Sequence, residues 1–167
     1  MNANKIANSQ QSKYFKDVQS IDSIMKAYYE IVTGPAGEKR NIERDLYIHH
    51  SKAAMLFPFR SDDKAESFDV WTIQQFHQSQ AQQEHVSEGF YEYEIGRQVK
   101  RFGNAAVVTS VYESRRTPAG EPFARGVNFV HLFYGKDRNG NNRWYVTSSS
   151  FDRESEDNPI PDSWISQ

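Results

Sequence analysis

The chain has 167 residues, 25% of them charged and 14% aromatic, with a formal net charge of −2. That length suits one domain able to bury roughly two-thirds of its unfolded surface, and the even charge balance offers no basic field for a phosphate backbone, so no nucleic-acid partner is expected. There is no cysteine, which excludes disulfides, thiolate metal sites and thiol catalysis.

Residues 1–16 are polar and aperiodic and read as a flexible arm ahead of a single domain over 17–167. The arm lacks the apolar segment of a secretory signal, and no stretch approaches the ~20 apolar residues of a spanning helix; no membrane partner and a cytoplasmic setting are expected. From Ser20, Ile21, Ile24, Met25, Tyr28, Ile31 and Val32 recur at helical spacing. Gly34-Pro35 reads as a left-handed cap followed by a residue that cannot continue the helix. Glu38 to His49 reads as a second helix with Ile42, Leu46 and His49 on one stripe. Ala53 to Pro58 follows as a short strand ended by proline, then Ser61 to Ser67 as a polar loop. Thr72 and Gln75 form a capping box for a third helix through Gln82. Its thin stripe of Ile73, Phe76 and Ala81 suits an element that covers an edge or an opening.

After Gly89 the period changes to two. Phe90 to Phe102, Ala105 to Arg116, Phe123 to Tyr134 and Arg143 to Phe151 are strand candidates, joined by Gly103-Asn104, Thr117 to Gly120 and Asp137 to Asn142, which are hairpin compositions. Consecutive strands joined this way form an antiparallel meander, and helices grouped ahead of strands predict an α+β domain. Neither face of these strands is polar: Val127, Phe129, His131 and Phe133 alternate with Asn128, Val130, Leu132 and Tyr134. Helices can cover one side only, so the second face is expected to meet another copy in a twofold homodimer.

The order of helices, strand, helix and meander, with the stretches Tyr112 to Thr117, Glu121 to Asn128, Arg143 to Val146 and Asn158 to Pro161, resembles the nuclear transport factor 2-like (SnoaL-like) superfamily, in an uncharacterised bacterial branch. The resemblance covers about Ile21 to Asp162. It implies a cone-shaped, cystatin-like α+β roll with three N-terminal helices packed on a curved, mainly antiparallel sheet. The superfamily includes isomerases, cyclases and dehydratases as well as non-catalytic adaptors, so fold alone does not select a function. Its steroid isomerases carry a carboxylate base on the strand after the second helix; here the run Met55 to Pro58 has no acid, and Asp62 and Asp63 lie just beyond it.

Candidate chemistry centres on histidine. His49 stands where the second helix gives way to the strand, either as a general base facing an apolar cavity or as a polar helix end. His77, beside Ile73 and Phe76, is the second catalytic candidate, with a hydrogen-bonded rim position as the alternative. Tyr28, Tyr112, Arg125, Asn128, His131 and Ser148 are the ligand-binding candidates. Arg125 and Asn128 suit a carboxylate or enolate oxygen, although Arg125 could equally pair with Glu113 across the strands. No metal-ligand spacing occurs, and Gly34-Pro35-Ala36-Gly37 runs into Glu38-Lys39 rather than a phosphate loop, so neither metal nor cofactor is expected. Two functions remain: a pocket for a small hydrophobic or carbonyl-bearing molecule with general acid–base chemistry, or a non-catalytic dimeric ligand-binding or adaptor module.

Overall fold

The computed structural model describes residues 13–61, 64–79 and 87–165. A 3₁₀ turn, Lys16–Val18, precedes α1 (Ile21–Val32). Ser20 and Ser23 cap α1 reciprocally, each hydroxyl accepting from the other's backbone N–H at 3.0 Å. Of the expected arm, residues 1–12 lie outside the described residues, whereas Tyr14 is buried against Tyr47 with ring centroids 5.9 Å apart.

Gly34 does not act as a left-handed cap; the positive-φ glycines are Gly37, Gly103 and Gly140. The chain instead leaves α1 extended at Thr33, and Gly34 exchanges two backbone hydrogen bonds with Phe90, at 2.8 and 3.0 Å. A Cβ at Gly34 would stand 2.3 Å from the Arg40 guanidinium, so a larger residue there would require that side chain to move.

The second helix is shorter than expected: α2 is Ile42–Ile48, opened by Asn41, whose side chain accepts from Arg44 N at 3.0 Å. Its stripe is also different. Ile42 and Leu46 are each 44% exposed, while Asp45 and Ile48 face inward. The hydrophobic pattern lost to a polar one, since Asp45 finds two histidine partners inside. The strand expected over Ala53 to Pro58 extends to β1 (His49–Ser61), and the expected polar loop is largely β2 (Lys64–Trp71), antiparallel to β1. Pro58 sits beyond Leu56, the last β1 residue paired with the strand on its other side, so its missing N–H costs no ladder bond there. Asp62 and Asp63 lie outside the described residues. The third helix, α3 (Ile73–Gln78), carries the expected Thr72–Gln75 capping box but ends before Gln82, with Ser79 already extended; Ala81 lies outside the described residues.

The meander is close to expectation. β3 (Tyr91–Phe102), β4 (Ala105–Arg115), β5 (Pro122–Lys136) and β6 (Asn142–Arg153) pair antiparallel in chain order. β1 adds to β6 in parallel, giving a six-stranded, mainly antiparallel sheet in the order β2-β1-β6-β5-β4-β3. Register shifts at Glu94/Gly96 and His131/Leu132 insert bulges that bend the strands. The helices α1 to α3 pack on one face, where Ile24, Met25 and Ile48 meet Val108, Val130, Leu132 and Val146 in a fully enclosed core.

On the other face Phe129 is 37% and Phe133 49% exposed. A last helix, α4 (Asp162–Ile165), covers the β3 end of that face. Gly96 admits it, since a Cβ there would lie 1.9 Å from the Trp164 carbonyl oxygen. Backbone cannot yield as a side chain can. Gly96→Ala is therefore expected to destabilise the fold by about 1–3 kcal/mol and to release the C-terminal segment. Thermal denaturation and limited proteolysis near Trp164 check this; an unchanged melting point with an intact C-terminus contradicts it.

Candidate active site

Between the inner sheet face and the helices lies a cavity of about 280 Å³. One wall is apolar. Phe57 of β1 stacks on Phe76 of α3 at 4.8 Å and 9°, and meets Phe151 edge-on at 6.1 Å, with Met55 and Ile73 alongside. These side chains converge because β1 and β6 alternate with period two, and α3, laid across them, turns its thin stripe inward. The opposite wall is polar and draws on α1, α2 and β3 to β6.

Asp45 anchors that polar wall. It is only 4% exposed, and both carboxylate oxygens are engaged: Oδ1 lies 3.0 Å from His49 Nδ1, and Oδ2 lies 2.8 Å from His77 Nε2. His49 Nδ1 is also 2.9 Å from the Asp45 carbonyl oxygen. Facing only acceptors, His49 Nδ1 carries a proton, and Nε2 has no partner among the described residues. His77 is held by Nε2 in the same manner, with Nδ1 unpartnered. Burial alone would push the Asp45 carboxyl up; the two histidines outweigh it and hold the group below the ordinary carboxylate range. The nitrogens that meet Asp45 bear protons, so this trio offers no shared point of lone pairs to a metal. No metal-holding group of three appears among the described residues.

Glu92 of β3 is the second carboxylate of the cavity, and its surroundings act the other way. Burial pushes it up to about 7, only partly offset by the hydroxyl of Ser114, 3.2 Å away, the Asn128 side chain and the charge of Arg153. It keeps some accessible surface because it faces the cavity. Near neutral pH this carboxyl can both give and take a proton. Tyr28, whose phenol burial holds protonated, donates to Ser149 Oγ at 3.3 Å, and Tyr112 and Asn128 complete the polar wall.

Of the side chains nominated from sequence, the structure thus brings His49, Tyr28, Tyr112 and Asn128 to one cavity. His77 reaches it through Asp45. The other three lie elsewhere. His131 and Ser148 bond to each other at 3.1 Å on the opposite sheet face, since they stand one register position out of phase with the inward Val130 and Ser149. Arg125 pairs with Glu154 at 3.4 Å rather than with Glu113, which Arg115 takes. Sequence reasoning missed Glu92 and Asp45, and nominated Ser148 where its neighbour Ser149 lines the cavity. Asp45 had a signal in its i, i+4 spacing to His49. Glu92 had none: in Tyr91-Glu92-Tyr93-Glu94 the tyrosines would be expected inside, yet Tyr93 faces out beside Arg115.

No family model matches the chain, and no curated protein matches it. Among solved structures it is similar to a putative ketosteroid isomerase from Parabacteroides distasonis, with a TM-score of 0.50 and 10% identity over 84% of this chain and 98% of that one. It is also similar to a putative ketosteroid isomerase from Shewanella frigidimarina (TM-score 0.45, 12% identity, 66% of this chain and 80% of that one). A third similar structure is the CaMKII hub of S. rosetta (TM-score 0.48, 12% identity, 80% and 90%). At 10% identity the Parabacteroides likeness is one of fold, helices packed on a mainly antiparallel sheet.

The two carboxylates predict opposite pH branches. For Asp45, with its folded value depressed, the stabilising contribution is complete above the ordinary 3.8 and is lost as pH falls through the lower folded value. For Glu92, raised from 4.5 to about 7, the folded state holds a proton that the unfolded chain releases, so stability declines as pH rises across that interval. Urea denaturation across the pH range should show Glu92→Gln flattening the upper branch. Asp45→Asn should flatten the acid branch and cost about 2–4 kcal/mol at neutral pH. A Glu92→Gln curve with the wild-type slope would remove Glu92 as its source.

Proposed function

We propose that the cavity binds a small hydrophobic, carbonyl-bearing molecule and performs general acid–base chemistry on it of the isomerase, cyclase or dehydratase kind. The observation that carries this reading is the Glu92 carboxyl, raised to about 7 in a largely apolar cavity that His49, oriented by Asp45, also lines. Ionised Glu92 removes a proton from the carbon next to the carbonyl. A phenol of Tyr28 or Tyr112 donates to the oxygen where charge develops, and His49 Nε2 exchanges a second proton. His77 acts through Asp45, holding the carboxylate that orients His49. The stacked Phe57–Phe76 pair takes the apolar body of the ligand.

Proton exchange tests this without knowledge of the physiological substrate. A panel of steroid-like and aromatic ketones is screened by thermal shift. For ligands that bind, deuterium incorporation beside the carbonyl is followed by NMR in D₂O. Exchange is expected to rise with pH through about 7 and to fall about 10²–10⁴-fold in Glu92→Gln, with a smaller loss in His49→Gln. Equal exchange in wild type and both variants would overturn the catalytic reading, and no binding across the panel would favour an adaptor.

The exposed outer face supports a second proposal, a homodimer formed through the sheet. Phe129 and Phe133 on β5 stand beside Val107 on β4, a run of apolar surface that a second copy would cover. His131 lies on the same face, while Val130 is in the core. His131→Glu and Phe133→Glu are expected to halve the native mass on a sizing column, and an unchanged mass for both variants contradicts the sheet-face dimer.

A further inference from the structure

A line of polar groups crosses the apolar core from the surface to Glu92. Arg97 donates to Asp22 at 2.7 Å and, through Nε, to Glu94 Oε1 at 2.8 Å. Glu94 Oε1 also accepts from Ser110 Oγ; Ser110 Oγ lies 2.6 Å from the Tyr29 hydroxyl; and Tyr29 accepts from Asn128 Nδ2 at 3.1 Å. Ser110, Tyr29 and Asn128 are all buried, and neither Ser110 nor Tyr29 lines the cavity.

The chain of hydrogens has one direction. A carboxylate gripped by Arg97 only accepts, so the Ser110 proton goes to Glu94. Ser110 oxygen then accepts from Tyr29, and Tyr29 oxygen accepts from Asn128. This forces the nitrogen of the Asn128 amide, not its oxygen, toward Tyr29, and leaves its second N–H to act on Glu92 in the cavity that both residues line. Were the chain broken, Tyr29 could donate to Asn128 instead, and the amide would turn its oxygen to the same place. In a core of low dielectric such a reversal is felt along the whole network.

We infer that Asn128 is a positioning residue for Glu92, and that the direction of its amide is set from the far side of the core by Glu94 acting through Ser110 and Tyr29. The functional weight of this inference rests on the proposed acid–base role of Glu92; the coupling itself does not. The titratable and charged groups facing Glu92 are Tyr28 and Tyr29 from α1, Asp45 from α2, His49 from β1, Tyr112 from β4 and Arg153 from β6. Glu94 stands two residues along β3, and Ser110 bonds Glu94 and Tyr29, so the hydrogen-bonded chain is the route by which removing the Ser110 hydroxyl is expected to reach Glu92.

The test is a ¹³C NMR titration of glutamate-labelled full-length protein, with Glu92 assigned by Glu92→Gln. Ser110→Ala is expected to raise the Glu92 midpoint by about one unit, tenfold in proton affinity, and Tyr29→Phe, which frees the Asn128 amide without offering its oxygen a donor, by less. Ser110→Thr, which keeps a hydroxyl, should stay close to wild type. Val108→Ala, a cavity on the same strand with no polar partner, should leave the midpoint unmoved. A Glu92 midpoint unchanged in whichever of Ser110→Ala and Tyr29→Phe folds would overturn the inference, as would an equal shift in Val108→Ala. An ordinary carboxylate midpoint in the wild type would instead defeat the proposed acid–base role, while a shift in Ser110→Ala would still establish the coupling.

Discussion

The buried charge of Asp45 is the constraint on which the site depends. An ionised carboxylate taken out of water costs several kcal/mol unless its oxygens are fully engaged. Here each oxygen meets a different histidine, one from the start of β1 and one from α3. A single charge thus ties the end of α2 to the strand that follows it and to the helix that lies over the cavity. It also holds a proton on Nδ1 of His49 and leaves Nε2 as the ring nitrogen without a partner among the described residues.

Against that pair, Glu92 shows how one cavity holds two carboxylates in different states. Asp45 has cationic or proton-bearing partners at hydrogen-bond distance and is held low. Glu92 has a hydroxyl and an amide, with Arg153 as a weaker charge, and burial prevails. Environments that push two acids apart in this way are the arrangement by which one site supplies both a fixed charge and a mobile proton. The polar line through Asn128, Tyr29 and Ser110 gives the second acid a buried support of its own, reaching the surface at Glu94 and Arg97.

The two sheet faces divide the labour. The inner face supports core and cavity, and its bulges change which residues of a strand point inward. The outer face carries Phe129 and Phe133 exposed and receives α4 at the β3 end. That the histidines separate, with His49 and His77 inside and His131 outside, follows from their strand phase and from the position of α3.

Much of the architecture was legible in the chain alone. Period-two runs between turn-forming residues located β3 to β6 within one or two residues at most ends, and the Ser20 and Thr72 positions marked helix starts, because these are local effects written in adjacent side chains. The apolar character of both strand faces was legible for the same reason. What the tertiary structure alone decided was which face turned inward, that β2 exists where polar residues suggested a loop, and that α2 buries Asp45 rather than Ile42 and Leu46. Each depends on a partner distant in sequence: β1 for β2, His77 for Asp45. Glu92 is the clearest case. Its neighbours in sequence mark it as a solvent-facing acid, and only the enclosure formed by α1, β4, β5 and β6 makes it a carboxyl that titrates near neutrality.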